Sequence, residues 1–127
     1  PGNRAISKKD AARAILKSLR EGRTVGILAD QNTVPEEGCF VDFFGVKASA
    51  NTAFARMAAK TGAPVVPAYA LWQEKERKWV LRYYPEIPMS GDAVADTQRL
   101  HSFLETEIRK YPDQWLWIHP VSYTHLT

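Results

Sequence analysis

Apolar residues recur at helical spacing near the beginning of the chain. They fall at i, i+3, i+4 and i+7 on one face: Ala12, Ile15, Leu16 and Leu19. The segment Ser7-Lys8-Lys9-Asp10 has the form of a capping box, and Gly22 supplies a stop. The pattern therefore predicts a helix from Lys8 to Glu21.

The same spacing predicts two more helices. One runs from Ala50 to Lys60, is capped near Ser49 or Asn51 and ends at Gly62; its apolar face consists of Phe54, Met57 and Ala58. The other runs from Asp92 or Ala95 to Lys110 and stops before Pro112, with an apolar face of Leu100, Phe103, Leu104 and Ile108.

Three shorter segments have the composition of strands. Thr24 to Ala29 and Pro64 to Leu71 are apolar and rich in β-branched residues, and Lys78 to Tyr84 alternates between apolar and polar residues. Asn32 to Ser49 is predicted to be a loop because of its Pro and Gly residues. This mixture of helices and strands indicates an α/β fold.

Composition excludes several classes of protein. The 127 residues allow one domain or a piece of one, and the net charge of +3 is too small to indicate a nucleic-acid partner. The run from Gly62 to Trp72 is too short to span a membrane, and the single Cys39 cannot form an internal disulfide. Since the chain starts with Pro1 and no leader follows, we expect a truncated N-terminus.

Familiar catalytic motifs do not occur in the sequence. It contains neither a Gly-x-Ser-x-Gly elbow nor a phosphate-binding loop of the Gly-x-x-x-x-Gly-Lys-Ser/Thr type. Its histidines are His101, His119 and His125, and no local acid/base pair is evident on their segments. We expect His101 to be a surface residue beside the apolar face of that helix, and no catalytic base can be named.

Four short patterns occur in a distinctive order. They are Gly22-x-x-Val25-x-x-x-Ala29-Asp30-Gln31, Phe43-Phe44-Gly45, Thr61-Gly62-Ala63-Pro64-Val65-Val66-Pro67 and Trp115-Leu116-Trp117-Ile118-His119. Together they resemble the bacterial lipid A biosynthesis (lauroyl/myristoyl) acyltransferases, over nearly all of residues 5 to 119. The resemblance implies a three-layer α/β acyltransferase fold whose N-terminal part is missing, with residues 1–119 as the C-terminal portion of one domain.

The resemblance also implies an activity. These enzymes move a fatty acyl group from an acyl carrier protein thioester to a hydroxyl of a lipid A precursor, at the cytoplasmic face of the bacterial inner membrane, without a cofactor or metal. The chain would be peripheral there, or anchored by a preceding segment. The base is a His-x-x-x-x-Asp motif that lies upstream of the matched part, so no catalytic residue is expected here. A related acyltransferase for phosphatidylinositol mannosides or another glycolipid is an alternative, as is a non-catalytic α/β binding module.

Three groups of residues are assigned to substrate binding by the same resemblance. Asp30 and Gln31 are expected to organise the acceptor or active site, although a strand-terminal Asp that caps a turn is an equal alternative. Val66 and Pro67 resemble the Val-Pro motif of the wider glycerolipid acyltransferase superfamily. Alternatively, they simply end a strand.

The apolar triplet Phe43, Phe44 and Gly45 is open to more than one interpretation. It could enter the bilayer or line the acyl groove, but we favour packing of the two rings against the core.

The end of the chain departs from the family. Residues 120–127 replace the consecutive arginines and aromatic residue that usually follow there, and we interpret them as a non-native tail.

Overall fold

The computed structural model describes residues 2–6, 11–31, 33, 36 and 38–117. Its elements are α1 (Ala11–Arg20), β1 (Gly38–Phe43), β2 (Val46–Asn51), α2 (Ala53–Thr61), β3 (Ala68–Gln73), β4 (Lys78–Tyr83) and α3 (Ala93–Lys110), followed by a short 3₁₀ turn (Pro112–Gln114). The predicted combination of helices and strands is confirmed. The strands in this described part form two separate antiparallel hairpins, β1–β2 and β3–β4.

The first hairpin corrects the prediction of a loop from Asn32 to Ser49. Phe44 and Gly45 join β1 to β2 as a two-residue turn, and both have positive φ, 51° and 77°. Such turns match the twist of the two strands, and Gly at the second position adopts this backbone without strain. The prediction was wrong over residues 38–49 because Gly45 was interpreted as a sign of irregular structure rather than as the turn of a hairpin.

The hairpin also requires Gly38 at its start. A Cβ atom at this position would lie 2.4 Å from the carbonyl oxygen of Ala50 and 2.4 Å from the methyl group of Thr33. The backbones therefore approach more closely here than any side chain would allow.

The strand predicted from Thr24 to Ala29 is not observed. This segment has no regular structure, and Ile27 and Leu28 are 42% and 76% exposed. A strand needs a neighbour that accepts and donates its backbone hydrogen bonds. No described residue does this for residues 24–29, so the apolar composition alone does not produce a strand.

Helices α1 and α2 largely follow the predictions. Helix α1 stops just before Gly22, which has positive φ, and the N–H of Arg23 donates to the carbonyl of Ser18. The capping box predicted at residues 7–10 lies outside the described residues. Helix α2 begins three residues later than predicted because Ala50 and Asn51 belong to β2. It ends at Gly62 as expected, and its predicted apolar face is buried: Phe54, Met57 and Ala58.

Helix α3 organises the core. Its prediction is confirmed, with Asp92 as N-cap accepting hydrogen bonds from the N–H groups of Val94 and Ala95. Its inner face packs on the first hairpin in a buried cluster: Val41, Phe43, Ala48, Ala50, Leu104 and Ile108. The second predicted strand is shifted to Ala68–Gln73, and the third is observed as Lys78–Tyr83.

A buried carboxylate fixes the entry into α3. The side chain of Asp96 is fully buried and accepts hydrogen bonds from the backbone N–H groups of Ser90 and Gly91 and from the Ser90 hydroxyl; Arg99 lies 3.1 Å away. Burial opposes ionisation of Asp96, but these hydrogen bonds and the charge of Arg99 together hold its pKa below the ordinary value.

We expect Asp96→Asn to destabilise the chain by about 1–3 kcal/mol, because the amide group would face a donor that the carboxylate now satisfies. Since the pKa of Asp96 is lowered by folding, its stabilisation is present above the unfolded pKa of about 4 and is lost as the pH falls through the folded value. Urea unfolding between pH 7 and pH 2.5 should therefore show a weaker acid dependence for this variant. An Asn at the exposed Asp113 is the control, and an identical acid profile for both variants would contradict this role of Asp96.

The burial of Phe43 gives a second prediction. Phe43 is 3% exposed within the core cluster, whereas the ring of its neighbour Phe44 is only half-buried. Phe43→Ala should cost about 3–5 kcal/mol of unfolding free energy, and Phe44→Ala clearly less. Equal losses for the two variants in urea unfolding would show that Phe43 is not the core residue of the pair.

Candidate functional site

The residues assigned to substrate binding do not form one continuous site. Asp30 is half-buried in a turn after the irregular segment 24–29, and Gln31 beside it is exposed. The negative charge of Asp30 acts to raise the pKa of two interior residues, His101 and Tyr69.

His101 is a buried polar residue whose pKa the charge of Asp30 influences. It lies on α3 and is 2% exposed, with its ring edge-on to Phe43 at 5.8 Å between centroids. Its Nδ1 atom lies 2.9 Å from the carbonyl oxygen of Thr97, to which an Nδ1–H donates. The Nε2 atom then carries the lone pair, and it has no partner among the described residues.

The expectation that His101 lies at the surface was wrong. Thr97, Leu100, His101, Leu104 and Ile108 repeat at three- and four-residue intervals, so all five occupy the buried face of α3. The helical spacing that identified Leu100 and Leu104 also includes His101, and this signal in the sequence would have placed it correctly.

The surroundings keep His101 neutral. Burial lowers its pKa below the ordinary value, while the hydrogen bond to Thr97 and the negative charges of Asp30 and Glu105 act in the opposite direction and do not compensate. A neutral imidazole with a free Nε2 is a hydrogen-bond acceptor. Of the predicted site residues, Phe43 contacts the ring of His101, and the charge of Asp30 acts on the pKa of the same imidazole.

Tyr69 on β3 is the second interior group that Asp30 influences. Burial raises the pKa of its phenol, and the charges of Glu107 and Asp30 add to the shift. Its ring contacts Tyr84 and Phe103, with centroids at 5.8 Å and 6.3 Å. The hydroxyl has no partner among the described residues and lines a cavity of about 30 Å³, together with Glu107 and Trp115.

A network of hydrogen-bonded ionisable groups borders this cavity. The hydroxyl of Tyr84 donates to Glu107 at 2.5 Å, and Lys110 donates to the other oxygen of the same carboxylate, also at 2.5 Å. Burial opposes ionisation of Glu107, but the two donors together lower its pKa below the ordinary value. Glu107 is therefore a charged, fully engaged carboxylate, which suits support of the fold better than proton transfer.

The Val-Pro pair lies beside this network. Pro67 is buried, and its carbonyl accepts a hydrogen bond of 3.0 Å from the N–H of Tyr84. Val65 forms an isolated bridge with Ile87. Val66, which lies between Val65 and Pro67 in the sequence, is 47% exposed. Pro67 is thus linked to the buried network through Tyr84, whereas Val66 faces solvent.

The apolar triplet is divided between core and surface. Phe44 packs against Phe43 at 4.8 Å and against Trp117 at 5.8 Å, and the guanidinium of Arg109 lies 4.8 Å from its ring centroid. Gly45 is exposed at the turn. The burial of Phe43 favours packing over insertion into a bilayer, and a role of Phe44 and Gly45 in substrate binding stays a prediction.

The described residues contain neither a paired general base nor a metal site. No described residue forms a His–carboxylate hydrogen bond that could act as a general base, and the described residues contain no group of three or more His, Cys, Asp or Glu side chains that could hold a metal ion. Asp30 is half-buried, and its role in substrate binding stays a prediction.

Comparison with known proteins identifies the family. The sequence pattern of the family described as bacterial lipid A biosynthesis acyltransferase matches residues 2–121. A lipid A biosynthesis acyltransferase of Haemophilus influenzae is 23% identical over 117 residues, covering 92% of this chain and 37% of that protein. The lipid A biosynthesis myristoyltransferase of Escherichia coli is 28% identical over 119 residues, again covering 92% of this chain and 37% of the relative.

A third relative differs in the lipid that its name contains. The phosphatidylinositol mannoside acyltransferase of Mycolicibacterium smegmatis is 32% identical over 107 residues, which cover 84% of this chain and 34% of that protein. The chain thus spans little more than a third of the length of the curated relatives that it matches. Its match over residues 2–121 shows that the chain belongs to the bacterial lipid A biosynthesis acyltransferase family.

Proposed function

We propose that this chain is the C-terminal portion of a bacterial acyltransferase that joins a fatty acyl group to a hydroxyl of a membrane glycolipid. The observation that carries the proposal is the continuous family match over residues 2–121. The relatives compared above are all named acyltransferases, which supports an enzyme over the alternative of a non-catalytic binding module.

The proposed donor is an acyl carrier protein thioester, and the proposed acceptor is a lipid A precursor. The names of the Haemophilus influenzae and Escherichia coli relatives support the acceptor. A phosphatidylinositol mannoside is the second candidate, because the relatives of that name reach 32–33% identity over slightly shorter matches. Both acceptors are glycolipids with free hydroxyl groups.

In this proposal the chain contributes acceptor organisation, and the catalytic base comes from the part of the enzyme that precedes it. Asp30 orients the acceptor, and the hydrogen bond from the N–H of Tyr84 to the carbonyl of Pro67 holds the Val-Pro segment in place. Gln31 and Val66, which are exposed, are free to meet the substrate.

The place of action follows from the lipid acceptor. We propose that the enzyme works at the cytoplasmic face of the bacterial inner membrane, as a peripheral protein or through an anchor in the preceding segment. Among the described residues, none of the helices combines the length and the apolar composition needed to cross a bilayer.

We expect the purified chain to show no acyl transfer, because His101, the histidine among the described residues, bonds to the carbonyl of Thr97 and not to a carboxylate. The complete protein encoded by its gene should transfer acyl groups from acyl carrier protein to a lipid A precursor, measured by mass spectrometry of the product. Turnover by the chain alone would contradict the proposed position of the base. Activity only toward a phosphatidylinositol mannoside would select the second acceptor, and inactivity toward every glycolipid would contradict the function itself.

In the complete enzyme, Asp30→Asn should lower kcat/KM about tenfold or more, which corresponds to roughly 1.4 kcal/mol of transition-state stabilisation. The substitution keeps the size of the side chain and removes the charge that reaches His101 and Tyr69. Asp113→Asn, at an exposed site on the 3₁₀ turn, is the control. Normal kinetics with a lowered melting temperature would show that Asp30 only caps its turn.

A further inference from the structure

The outer face of the second hairpin is apolar and exposed. Residues directly opposite each other in β3 and β4 share a face, and the register places six apolar residues on this one, which we call the open face: Ala68, Ala70, Trp72, Trp79, Leu81 and Tyr83. Trp79, Leu81 and Tyr83 are 66%, 56% and 68% exposed. A contiguous patch of this kind on a soluble domain marks a surface that is covered by something else.

The inner face of the same hairpin is already covered. Leu71 is 4% exposed, and Tyr69 packs against the core cluster that α3 completes. Strand β3 is therefore apolar on both sides. This pattern is typical of strands in sheets that have a protein layer on each face.

Two other parts of the chain carry apolar side chains that the described residues leave uncovered or only half-covered. Helix α1 is strongly amphipathic, yet none of its residues is buried, and its apolar side chains are at best half-covered. The segment from Thr24 to Ala29 exposes Ile27 and Leu28, and no described residue hydrogen-bonds to its backbone. Among the described residues, nothing pairs with the backbone N–H and C=O groups of this segment, and its side chains Ile27 and Leu28 remain exposed.

We propose that the open face and the segment 24–29 are docking surfaces for a further polypeptide segment of the same acyltransferase domain. That segment lays an apolar layer on the open face and pairs a strand with residues 24–29. The relatives contain additional polypeptide that could supply this segment, since the present sequence covers only 34–37% of their lengths. The inference rests on the proposed function in one respect, namely that the chain is one portion of a longer acyltransferase.

The observations favour a polypeptide over a lipid surface. Acyl chains can cover Trp79 and Leu81, but they cannot satisfy the backbone N–H and C=O groups of residues 24–29. The turn next to the open face, residues 74–78, carries two acidic and three basic side chains, so it provides no strong attraction to anionic lipid. A second copy would bring the same unpaired segment and the same open face, whereas the relatives contain the matched part within one much longer chain.

The test mixes the chain with the polypeptide encoded directly upstream in its gene, produced separately. We expect a one-to-one complex in which acrylamide quenches Trp79 less and the amides of residues 26–28 exchange on the order of a hundredfold more slowly. Trp79 is followed in a variant with the other three tryptophans replaced by Phe, after its melting curve has been shown to match that of the original chain.

Leu81→Ser should weaken this complex about tenfold or more, because it removes an apolar contact at the centre of the open face. Val46→Ser is the matched control, since Val46 is an equally exposed apolar strand residue, 62%, in the other hairpin. Both variants should melt like the unmodified chain when alone. If Leu81→Ser unfolds the chain, Tyr83→Ser takes its place.

Several results would overturn the proposal. They are a gene without an upstream coding segment, the absence of a complex, a self-associated chain that already shields Trp79, and shielding of Trp79 by vesicles of phosphatidylethanolamine and phosphatidylglycerol without the upstream polypeptide. None of these measurements depends on acyl transfer. A complex that forms but is inactive toward glycolipids would leave this inference standing and contradict the proposed function, and an active complete protein whose two parts do not bind would do the reverse.

Discussion

The structure depends on helix α3 satisfying the outer backbone edge of the first hairpin. A two-stranded sheet leaves one row of N–H and C=O groups unpaired on each strand, and a hairpin of this size is marginally stable in water. Gln98 meets this need with both ends of its amide: its oxygen accepts from the N–H of Asp42 at 2.7 Å, and its nitrogen donates to the Asp42 carbonyl at 2.9 Å. Glu105, two turns later, accepts from the N–H of Phe44 at 2.8 Å.

The second hairpin uses the same device. The side chain of Gln114, just after α3, accepts from the N–H of Trp72 and donates to the Trp72 carbonyl. The two hairpins are therefore held by amides that belong to one short region of sequence, and the buried Asp96 fixes where that region begins. His101 and Glu107 owe their buried positions to the same helix. The buried residues of the candidate region are therefore positioned by the same helix whose neighbouring side chains hydrogen-bond to the hairpin backbones.

Helical periodicity predicted α2 and α3 well because each packs a complete apolar stripe within the described chain. Strands were harder to predict, since a strand is specified by its neighbour as much as by its own residues. The first hairpin was missed because Gly45 was interpreted as a sign of irregular structure, whereas it forms a tight turn with Phe44, a residue type that is rare at positive φ. The segment 24–29 was predicted as a strand from its apolar composition, but no described residue pairs with its backbone. Of the site residues, Asp30 was assigned by resemblance to the end of a strand that is not observed, and its role stays a prediction. The burial of His101 and Tyr69 emerges only when the three-dimensional packing is known.

The contact between Gln98 and Asp42 has a consequence for how the protein is made. The two residues are 56 positions apart, so the first hairpin leaves the ribosome well before the helix that covers it. During that interval the side chains of Val41 and Phe43 have no cover from α3, and the edge at Asp42 can pair with any other extended chain. The order of synthesis thus exposes this part of the core until α3 has been made and has packed on the hairpin.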